Sequence, residues 1–261
     1  MENQTLICTI CASKMENQTP LCKICASSTA LKFSIPSTKL TGHPIPDLEN
    51  DCYYYECKSC NFLFSNFHDK LDHTKLYDEN YWDNQDPDWG GRVNQTLRLV
   101  LMAGKLLDKN PWEYRVLDYG CGMGTFVEAS RTQLQMQTWG TDIIKPKFGL
   151  NWFVPKPEKK MFDIVVACEV IEHLPDPIGI IKEAIGYLTP GGVFAFQTAE
   201  YDPKSCNRDW WYIGPANGHI SLYSRAAFDS LANQLNIKER LVWNNYPGLQ
   251  AWRVGYLDDD N

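Results

Sequence analysis

The segment that decides the fold is Val116-Leu117-Asp118-Tyr119-Gly120-Cys121-Gly122-Met123-Gly124-Thr125-Phe126. An apolar run that ends in a glycine-rich turn predicts a buried strand followed by a helix. Glycine at alternate positions lets the backbone approach a ligand where a Cβ would collide with it. A second apolar run ends in Asp142, and an acid about twenty residues after such a turn can accept hydrogen bonds from ribose hydroxyls. The pattern predicts a pocket for a nucleoside-type ligand.

The charge of the turn distinguishes between nucleoside ligands. Dinucleotide sites use the spacing G-x-G-x-x-G, which places the pyrophosphate on a helix N-terminus. Here the spacing is G-x-G-x-G, and Asp118 stands two residues before the first glycine. A carboxylate at that position would repel a pyrophosphate but would suit a cationic group, such as the ammonium of S-adenosylmethionine (SAM).

Three blocks together resemble the class I SAM-dependent methyltransferases. The glycine segment resembles their motif I, and FDIVVACEVIEHL at 162–174 and LTPGGVF at 188–194 follow in the family's order and spacing. The resemblance implies a SAM-dependent methyltransferase with a Rossmann-like fold: a mostly parallel seven-stranded sheet with helices on both faces. It implies that the cofactor is contacted by Asp118, Gly120, Gly122 and Asp142, with Arg92 near its methionine carboxylate and Glu169 shaping the pocket.

The alternation of elements supports the same fold class. Strands are predicted near 115–119, 137–142, 163–168 and 192–198, helices over 124–135, 176–187 and 225–235, and a final strand pair over 237–256. Such alternation implies an α/β fold built on a parallel sheet. We divide the chain into a zinc-binding module (1–65), a linker and cap helix (66–110) and a methyltransferase domain (111–261).

The cysteines predict a zinc site near the N-terminus. Seven of the ten lie in the first sixty residues, and Cys22, Cys25, Cys57 and Cys60 form two C-x-x-C pairs. In a reducing compartment such pairs indicate a structural zinc site, which stabilises a module too small for its own core. Residues 1–14 partly repeat residues 15–28 and contain a C-x-x-C pair of their own. That additional pair could replace Cys22 and Cys25 as zinc ligands or bind nothing. We expect a zinc-ribbon-like module.

Composition limits the partners and the location. The formal net charge is −7, which argues against binding a nucleic-acid backbone and favours a small-molecule substrate. No apolar run reaches the ~18 residues that a membrane span needs. The N-terminus does not resemble a signal peptide, so we predict a cytoplasmic protein.

Methyl transfer to a hydroxyl needs a base or a metal, because alcohols are weak acids. The pattern E-x-x-E-H followed by a later His resembles the small-RNA 3′-terminal 2′-O-methyltransferases and the O-methyltransferases of ubiquinone biosynthesis. That resemblance implies Mg²⁺ or Mn²⁺ held by Glu169, Glu172, His173 and His219. The same E-x-x-E-H sequence occurs in metal-independent class I methyltransferases, and His219 would then be the best general base.

The acceptor is predicted from the domain arrangement. A zinc module, a class I core and HISLYS at 219–224 resemble methyltransferases of sugar and polysaccharide pathways. The resemblance implies O-methylation of a sugar hydroxyl, on a nucleotide-linked sugar or a surface glycan. Related C-methyltransferases of keto-sugars carry Tyr and Glu just before the catalytic His, whereas this chain has PANG at 215–218. C-methylation, methylation of an RNA end and non-catalytic SAM binding are the alternatives.

Overall fold

The computed structural model describes residues 19–42, 52–67, 69, 89–107, 110–243, 246 and 248–255. The first copy of the N-terminal repeat, residues 70–88 of the predicted linker and the acidic C-terminal residues lie outside this part of the chain. In chain order the elements are β1 (Thr29–Ile35), β2 (Cys52–Cys57), β3 (Leu63–Ser65), α1 (Trp89–Gly104), β4 (Arg115–Tyr119), α2 (Thr125–Thr132), β5 (Gln137–Thr141), β6 (Phe162–Cys168), α3 (Pro177–Gly186), β7 (Leu188–Gln197), β8 (Ser221–Leu222), α4 (Arg225–Gln234), β9 (Ile237–Val242) and β10 (Leu249–Val254).

The larger sheet has the strand order β5-β4-β6-β7-β10-β9. The first four strands are parallel, and β10 pairs antiparallel with both β7 and β9. This mixed sheet confirms the Rossmann-like α/β fold, and the predicted strands and helices recur close to their expected bounds.

The expected count of seven strands is wrong for the described residues, which form six strands in this sheet. Beside β5, where a seventh strand could pair, only an isolated parallel bridge joins Gly140 to Phe153. A single flanking hydrogen bond runs from Val154 N to Gly140 O at 2.8 Å. The chain then continues into Pro155-Lys156-Pro157, and the described residues show no further pairing on this side of β5.

Both faces of the sheet are covered. Along β6, Ile164 and Val166 pack in one core with residues of α1 and α2, whereas Val165 and Ala167 pack in a second core with residues of α3 and α4. Successive side chains of a strand point to opposite faces, so a strand buried on both sides is apolar throughout. The continuous run in FDIVVAC is the sequence signature of this arrangement.

A second, antiparallel sheet has the order β1-β2-β3-β8. Its last strand comes from the C-terminal half of the chain, with Leu63 opposite Leu222. Three cysteines of the two C-x-x-C pairs belong to the same buried core cluster as Phe228 of α4, and Cys25 packs against it. The N-terminal segment is thus joined to the methyltransferase core both by hydrogen bonds and by apolar packing.

Within the described part of the chain, no helix combines the length and the apolar character that crossing a bilayer requires.

Candidate functional site

The glycine turn after β4 uses backbone conformations that glycine adopts at little cost. Gly120, Gly122 and Gly124 all have positive φ, at 74°, 54° and 80°. A Cβ on Gly120 would lie 2.6 Å from Cγ2 of Val170, a contact that forces a shift. The turn therefore brings the backbone against the segment after β6, and a cavity opens beside it.

Ten residues line this cavity. Four of the residues expected to bind the cofactor are among them: Asp118, Gly120 and Gly122 at the turn, and Arg92 on α1. The remaining lining residues are Thr96, Cys121, Met123, Thr125, Phe126 and Cys168. Asp142 lies behind the turn, where its Oδ2 accepts a hydrogen bond from Gly122 N at 2.8 Å and its Oδ1 accepts one from Ile144 N at 3.1 Å.

Two buried aspartates lie at this turn, and one of them, Asp118, lines the cavity. Burial, with the nearby charge of Asp142, raises the pKa of Asp118 to about 8. Burial also raises the pKa of Asp142, although the backbone donors oppose this shift. A bound cation beside Asp118 would relieve the cost of a buried carboxylate, and each Asp142 oxygen keeps a second lone pair for a hydroxyl donor.

A second polar group lies at the carboxyl ends of β6 and β7. Glu169 follows β6 with φ of 55°, a left-handed conformation that is rare for a residue with a Cβ. Gln197 holds it there, since its carbonyl accepts from Glu169 N at 2.8 Å and its Nε2 donates to Glu169 Oε1 at 3.2 Å. Arg92 Nη1 is 3.8 Å from Glu169 Oε2, although Glu169 itself is not among the residues that line the cavity.

Tyr212 joins the two glutamates. Its hydroxyl is 2.7 Å from Glu169 Oε2 and 2.6 Å from Glu172 Oε1, but it has a single proton to donate. Burial and the charge of Glu169 raise the pKa of Glu172 well above its ordinary range. Glu172 Oε2 is buried and has no hydrogen-bond partner among the described residues. Among the described residues, Glu172 Oε2 therefore lacks a cation or hydrogen-bond donor.

The histidine ring of His219 is fixed in a defined tautomer. Its Nδ1 lies 2.7 Å from the carbonyl oxygen of Tyr212, so Nδ1–H donates and Nε2 keeps its lone pair. Burial is the main cause that lowers the pKa of His219 to about 4. The imidazole is therefore neutral near pH 7, which is the form that binds metals or accepts a proton.

The expected ligand set comes together in part. One donor atom each of Glu172, His173 and His219 lies within 4.8 Å of the others, and the rings of the two histidines are 4.8 Å apart. Glu169 is not a member of this cluster, but it contacts the cluster through the hydroxyl of Tyr212. The E-x-x-E-H segment forms this arrangement because a 3₁₀ turn over Ile171–His173 follows β6.

The four cysteines also come together. Their sulfur atoms all lie within 4.8 Å of one another, with Cys25 Sγ 3.5 Å from Cys57 Sγ and 3.7 Å from Cys60 Sγ. A tetrahedral site with Zn–S bonds of about 2.3 Å has sulfur–sulfur edges of about 3.8 Å, so the spacing fits zinc.

The two C-x-x-C turns have the same backbone shape. Ala26 N donates to Cys22 O and Asn61 N donates to Cys57 O, both at 3.0 Å, and Ala26 and Asn61 share a φ of 54°. Backbone amides also approach Sγ of Cys22 and of Cys57 at 3.4 Å. Such donors stabilise thiolate charge, which supports metal binding.

Sequence reasoning missed the roles of Tyr212 and Lys39 in this region. Tyr212 touches both glutamates through its hydroxyl and His219 through its carbonyl. Lys39 Nζ donates to carbonyl oxygens of the loop that carries Tyr212. Neither residue stands in a motif. The one available signal is that Tyr212 occurs seven residues before His219, within an aromatic and glycine-rich loop.

The chain is similar in sequence to known methyltransferases. A methyltransferase domain family model matches residues 91–238, more than half of the chain. The chain is 28% identical over 160 residues to a ubiquinone biosynthesis O-methyltransferase of Xanthomonas axonopodis pv. citri, covering 54% of this chain and 65% of that protein. It is 29% identical over 133 residues to the protein of that name from Pseudomonas entomophila, covering 44% of this chain and 53% of the relative.

Solved structures share the fold at low sequence identity. An O-methyltransferase family protein of Burkholderia thailandensis has a TM-score of 0.51 at 13% identity, covering 71% of this chain and 63% of the other. The 1,6-didemethyltoxoflavin-N1-methyltransferase of the same organism was solved with S-adenosylhomocysteine. It has a TM-score of 0.50 at 14% identity, covering 80% of this chain and 98% of that protein. The family model matches more than half of the chain and the solved structures share its fold, so the chain belongs to the methyltransferase domain family.

Proposed function

We propose that this enzyme transfers the methyl group of SAM to a hydroxyl oxygen, with a divalent cation held by Glu172, His173 and His219. The observation that carries the proposal is Glu172, which supplies a ligand atom to the cluster and whose buried Oε2 has no hydrogen-bond partner in the part of the chain that the structure describes. A buried, unsatisfied carboxylate oxygen is costly, and a cation offsets that cost. The carboxylate oxygen is a ligand type that Mg²⁺ and Mn²⁺ prefer, whereas the two imidazoles are ligands that later transition metals bind more tightly.

The cavity supplies the cofactor half of the proposal. Asp118 would accept the cationic amino group of SAM, and Asp142 would accept from the ribose hydroxyls. Arg92 would reach the carboxylate of the methionine moiety, since its guanidinium lines the same cavity. Glu169, 3.8 Å from Arg92, lies between the cofactor cavity and the cluster of Glu172, His173 and His219.

The acceptor half follows from the remaining groups. A divalent cation at this cluster would lower the pKa of a bound hydroxyl, so that its oxygen can attack the methyl carbon. Tyr212 holds Glu172 and Glu169 in place, and the Tyr212 carbonyl directs Nε2 of His219 away from the loop. In the absence of the cation, Nε2 of His219 would accept the acceptor's proton.

Two acceptor classes are supported by different observations. The resemblance of the domain arrangement to sugar-pathway enzymes favours a sugar hydroxyl, nucleotide-linked or in a glycan. The curated relatives favour a ring hydroxyl of a ubiquinone precursor, since they are named for that pathway. The chain spans 65% and 53% of these relatives, so their substrates are candidates here.

We also propose that Cys22, Cys25, Cys57 and Cys60 hold one structural Zn²⁺. The sulfur–sulfur distances and the matching pair of turns support it. Such a closed site has no open position for a substrate, so its role would be to stabilise the fold.

The test is methyl transfer from isotopically labelled SAM to a panel of acceptors: a nucleotide sugar, a catechol and an RNA with a 3′-terminal vicinal diol. Each is assayed with Mg²⁺, with Mn²⁺ and after chelation. We expect O-methylated product from one small-molecule class, and a fall in kcat of at least about 10²-fold in Glu172→Gln and His219→Ala, the range seen when acid–base or metal assistance is lost.

The matched control is Glu239→Gln, which removes an exposed carboxylate on β9 and should keep wild-type turnover. Full turnover after chelation would refute the cation and leave His219 as the base. Product from RNA alone would replace the small-molecule acceptor. SAM binding without turnover on any acceptor, in protein loaded with either cation, would refute the catalytic proposal.

A further inference from the structure

The loop that carries Tyr212 and His219 is held by the N-terminal segment of the chain. Residues 36–42, here called the strap, follow β1 and lie against the loop at 210–219. Gly42 N donates to Trp211 O at 2.7 Å, and Ala216 N donates to Lys39 O at 3.1 Å. Thr41 N donates to the side-chain oxygen of Asn217.

Lys39 lies at the centre of this contact. Its side chain is buried, and Nζ donates to Ile213 O at 2.6 Å and to Trp210 O at 3.1 Å. Burying an ammonium is costly unless it is hydrogen-bonded, and burial here lowers the pKa of Lys39. The two accepting carbonyls flank Trp211 and Tyr212, so the lysine fixes the backbone on both sides of Tyr212.

Two further contacts tie the N-terminal sheet to the same loop. Tyr54 of β2 donates its hydroxyl proton to the carbonyl oxygen of His219 at 2.7 Å. Ser65 N of β3 donates to Ile220 O at 2.9 Å, and Ile220 N in turn donates to Glu172 O at 3.0 Å. The N-terminal sheet therefore contacts the C-terminal end of the loop, whereas the strap contacts residues 210–217.

The fit is close enough that the loop has little alternative placement against the strap. Gly214 approaches Thr41 so closely that a Cβ would lie 2.6 Å from Thr41 N. Interfaces packed this tightly hold one arrangement, because a small shift loses contacts and hydrogen bonds together.

We propose that Lys39 and Tyr54 are positioning residues for the acceptor side of the active site, acting through the loop at 210–219. Lys39 sets the position of Tyr212, and Tyr54 sets that of His219, so the folded N-terminal module fixes the Glu172–His173–His219 geometry. This inference rests on the proposed function of that cluster. It assigns the cysteine-containing module a role in forming the active site.

The first measurement is hydrogen–deuterium exchange of the full-length chain, which requires no activity. In Lys39→Met, which keeps the length of the side chain and removes its donors, we expect the peptide spanning 210–220 to exchange at least about tenfold faster, the change that losing one charge-assisted hydrogen bond produces. Tyr54→Phe should accelerate the same peptide by about threefold, as for one neutral bond. A peptide spanning 115–130 should exchange at the wild-type rate in both.

The second measurement separates positioning from general destabilisation. In Lys39→Met we expect the Kd for Mn²⁺ to rise and kcat to fall by at least about tenfold, with the Kd for SAM unchanged. The matched control is Lys32→Met on β1, whose lysine pairs with Glu56 at the surface and does not contact the loop. It should match the wild type in every readout.

Failure of this inference and failure of the proposed function give different results. If the wild type binds no Mn²⁺, the cation proposal fails, while exchange of the 210–220 peptide still tests the positioning role. Wild-type exchange in both Lys39→Met and Tyr54→Phe overturns the inference. If Lys39→Met does not fold, wild-type exchange of the 210–220 peptide in Tyr54→Phe overturns the inference by itself.

Discussion

Proton release on SAM binding provides a direct test of the role of Asp118. Its pKa is raised to about 8 in the free protein, mainly by burial. At pH 7 about nine in ten molecules would therefore carry a proton on this carboxyl. Binding of a cation beside it favours the carboxylate, so each binding event should release that proton.

The expected number of protons released per SAM bound follows from two pKa values. Ionisation of Asp118 releases about 0.9 proton at pH 7, and an α-amino group of pKa near 7.8 takes up about 0.1 to become fully charged. The net release is about 0.8 proton per SAM. Isothermal titration calorimetry in buffers of different ionisation enthalpy measures it as the slope of binding enthalpy against buffer enthalpy.

The matched variant is Asp118→Asn, which keeps the shape and removes the charge. We expect it to release no proton and to bind SAM about 10- to 100-fold more weakly, as when a charge-assisted hydrogen bond is lost. A slope near zero for the wild type, or the same slope in both proteins, would refute the assignment of Asp118 as the group that meets the cation.

The same shift predicts the pH dependence of the ligand-free protein. The folded pKa of Asp118 lies above its unfolded value of 3.8, so its favourable contribution is complete below pH 4 and is lost as pH rises towards 8. At pH 7 the loss amounts to about 4 kcal/mol. Ligand-free Asp118→Asn should be the more stable protein in urea at pH 7, and its advantage should vanish near pH 4.

Three further changes test the zinc site, the glycine packing and the core. Cys60→Ser should release the metal, so elemental analysis should find about one zinc per chain in the wild type and much less in the variant, with a lower Tm; equal zinc in both would refute the site. Gly140→Ala places a Cβ 2.9 Å from atoms of Cys121 and Val127, so it should cost about 1–3 kcal/mol in urea unfolding, whereas an unchanged midpoint would show that β5 can move. Trp252→Ala removes a fully buried ring packed on Phe196 and should cost about 3–5 kcal/mol, and a loss below about 1 kcal/mol would contradict that packing.

The parts of the fold that the sequence predicted depend on local signals. The turn after β4 needs residues with positive φ, and glycine at 120, 122 and 124 provides them. The alternation of apolar runs and amphipathic segments predicted the strand–helix order, which the structure confirms. The seventh strand was the exception, because it was expected from the family and not from a strand-like run of its own residues.

The candidate site was predictable only for residues that stand in motifs. Asp118 and the glycines line one cavity, and Glu172, His173 and His219 form one cluster, as their motifs indicated. The hydrogen-bond partner of a tyrosine hydroxyl or a lysine ammonium is the carbonyl or carboxylate that packing brings next to it. A single tyrosine or lysine in the sequence therefore does not indicate which group it will contact.

The sequence by itself determined the fold class, the cofactor turn and the paired cysteines, because strand periodicity, positive φ and C-x-x-C spacing are properties of neighbouring residues. Only the tertiary structure decided that Tyr212 shares one proton between Glu169 and Glu172, and that Lys39 holds the loop of His219. The Lys39–Ile213 contact spans 174 positions of the chain. Such contacts form when strands and loops pack together, and that packing depends on the apolar cores of the whole chain and not on any short segment.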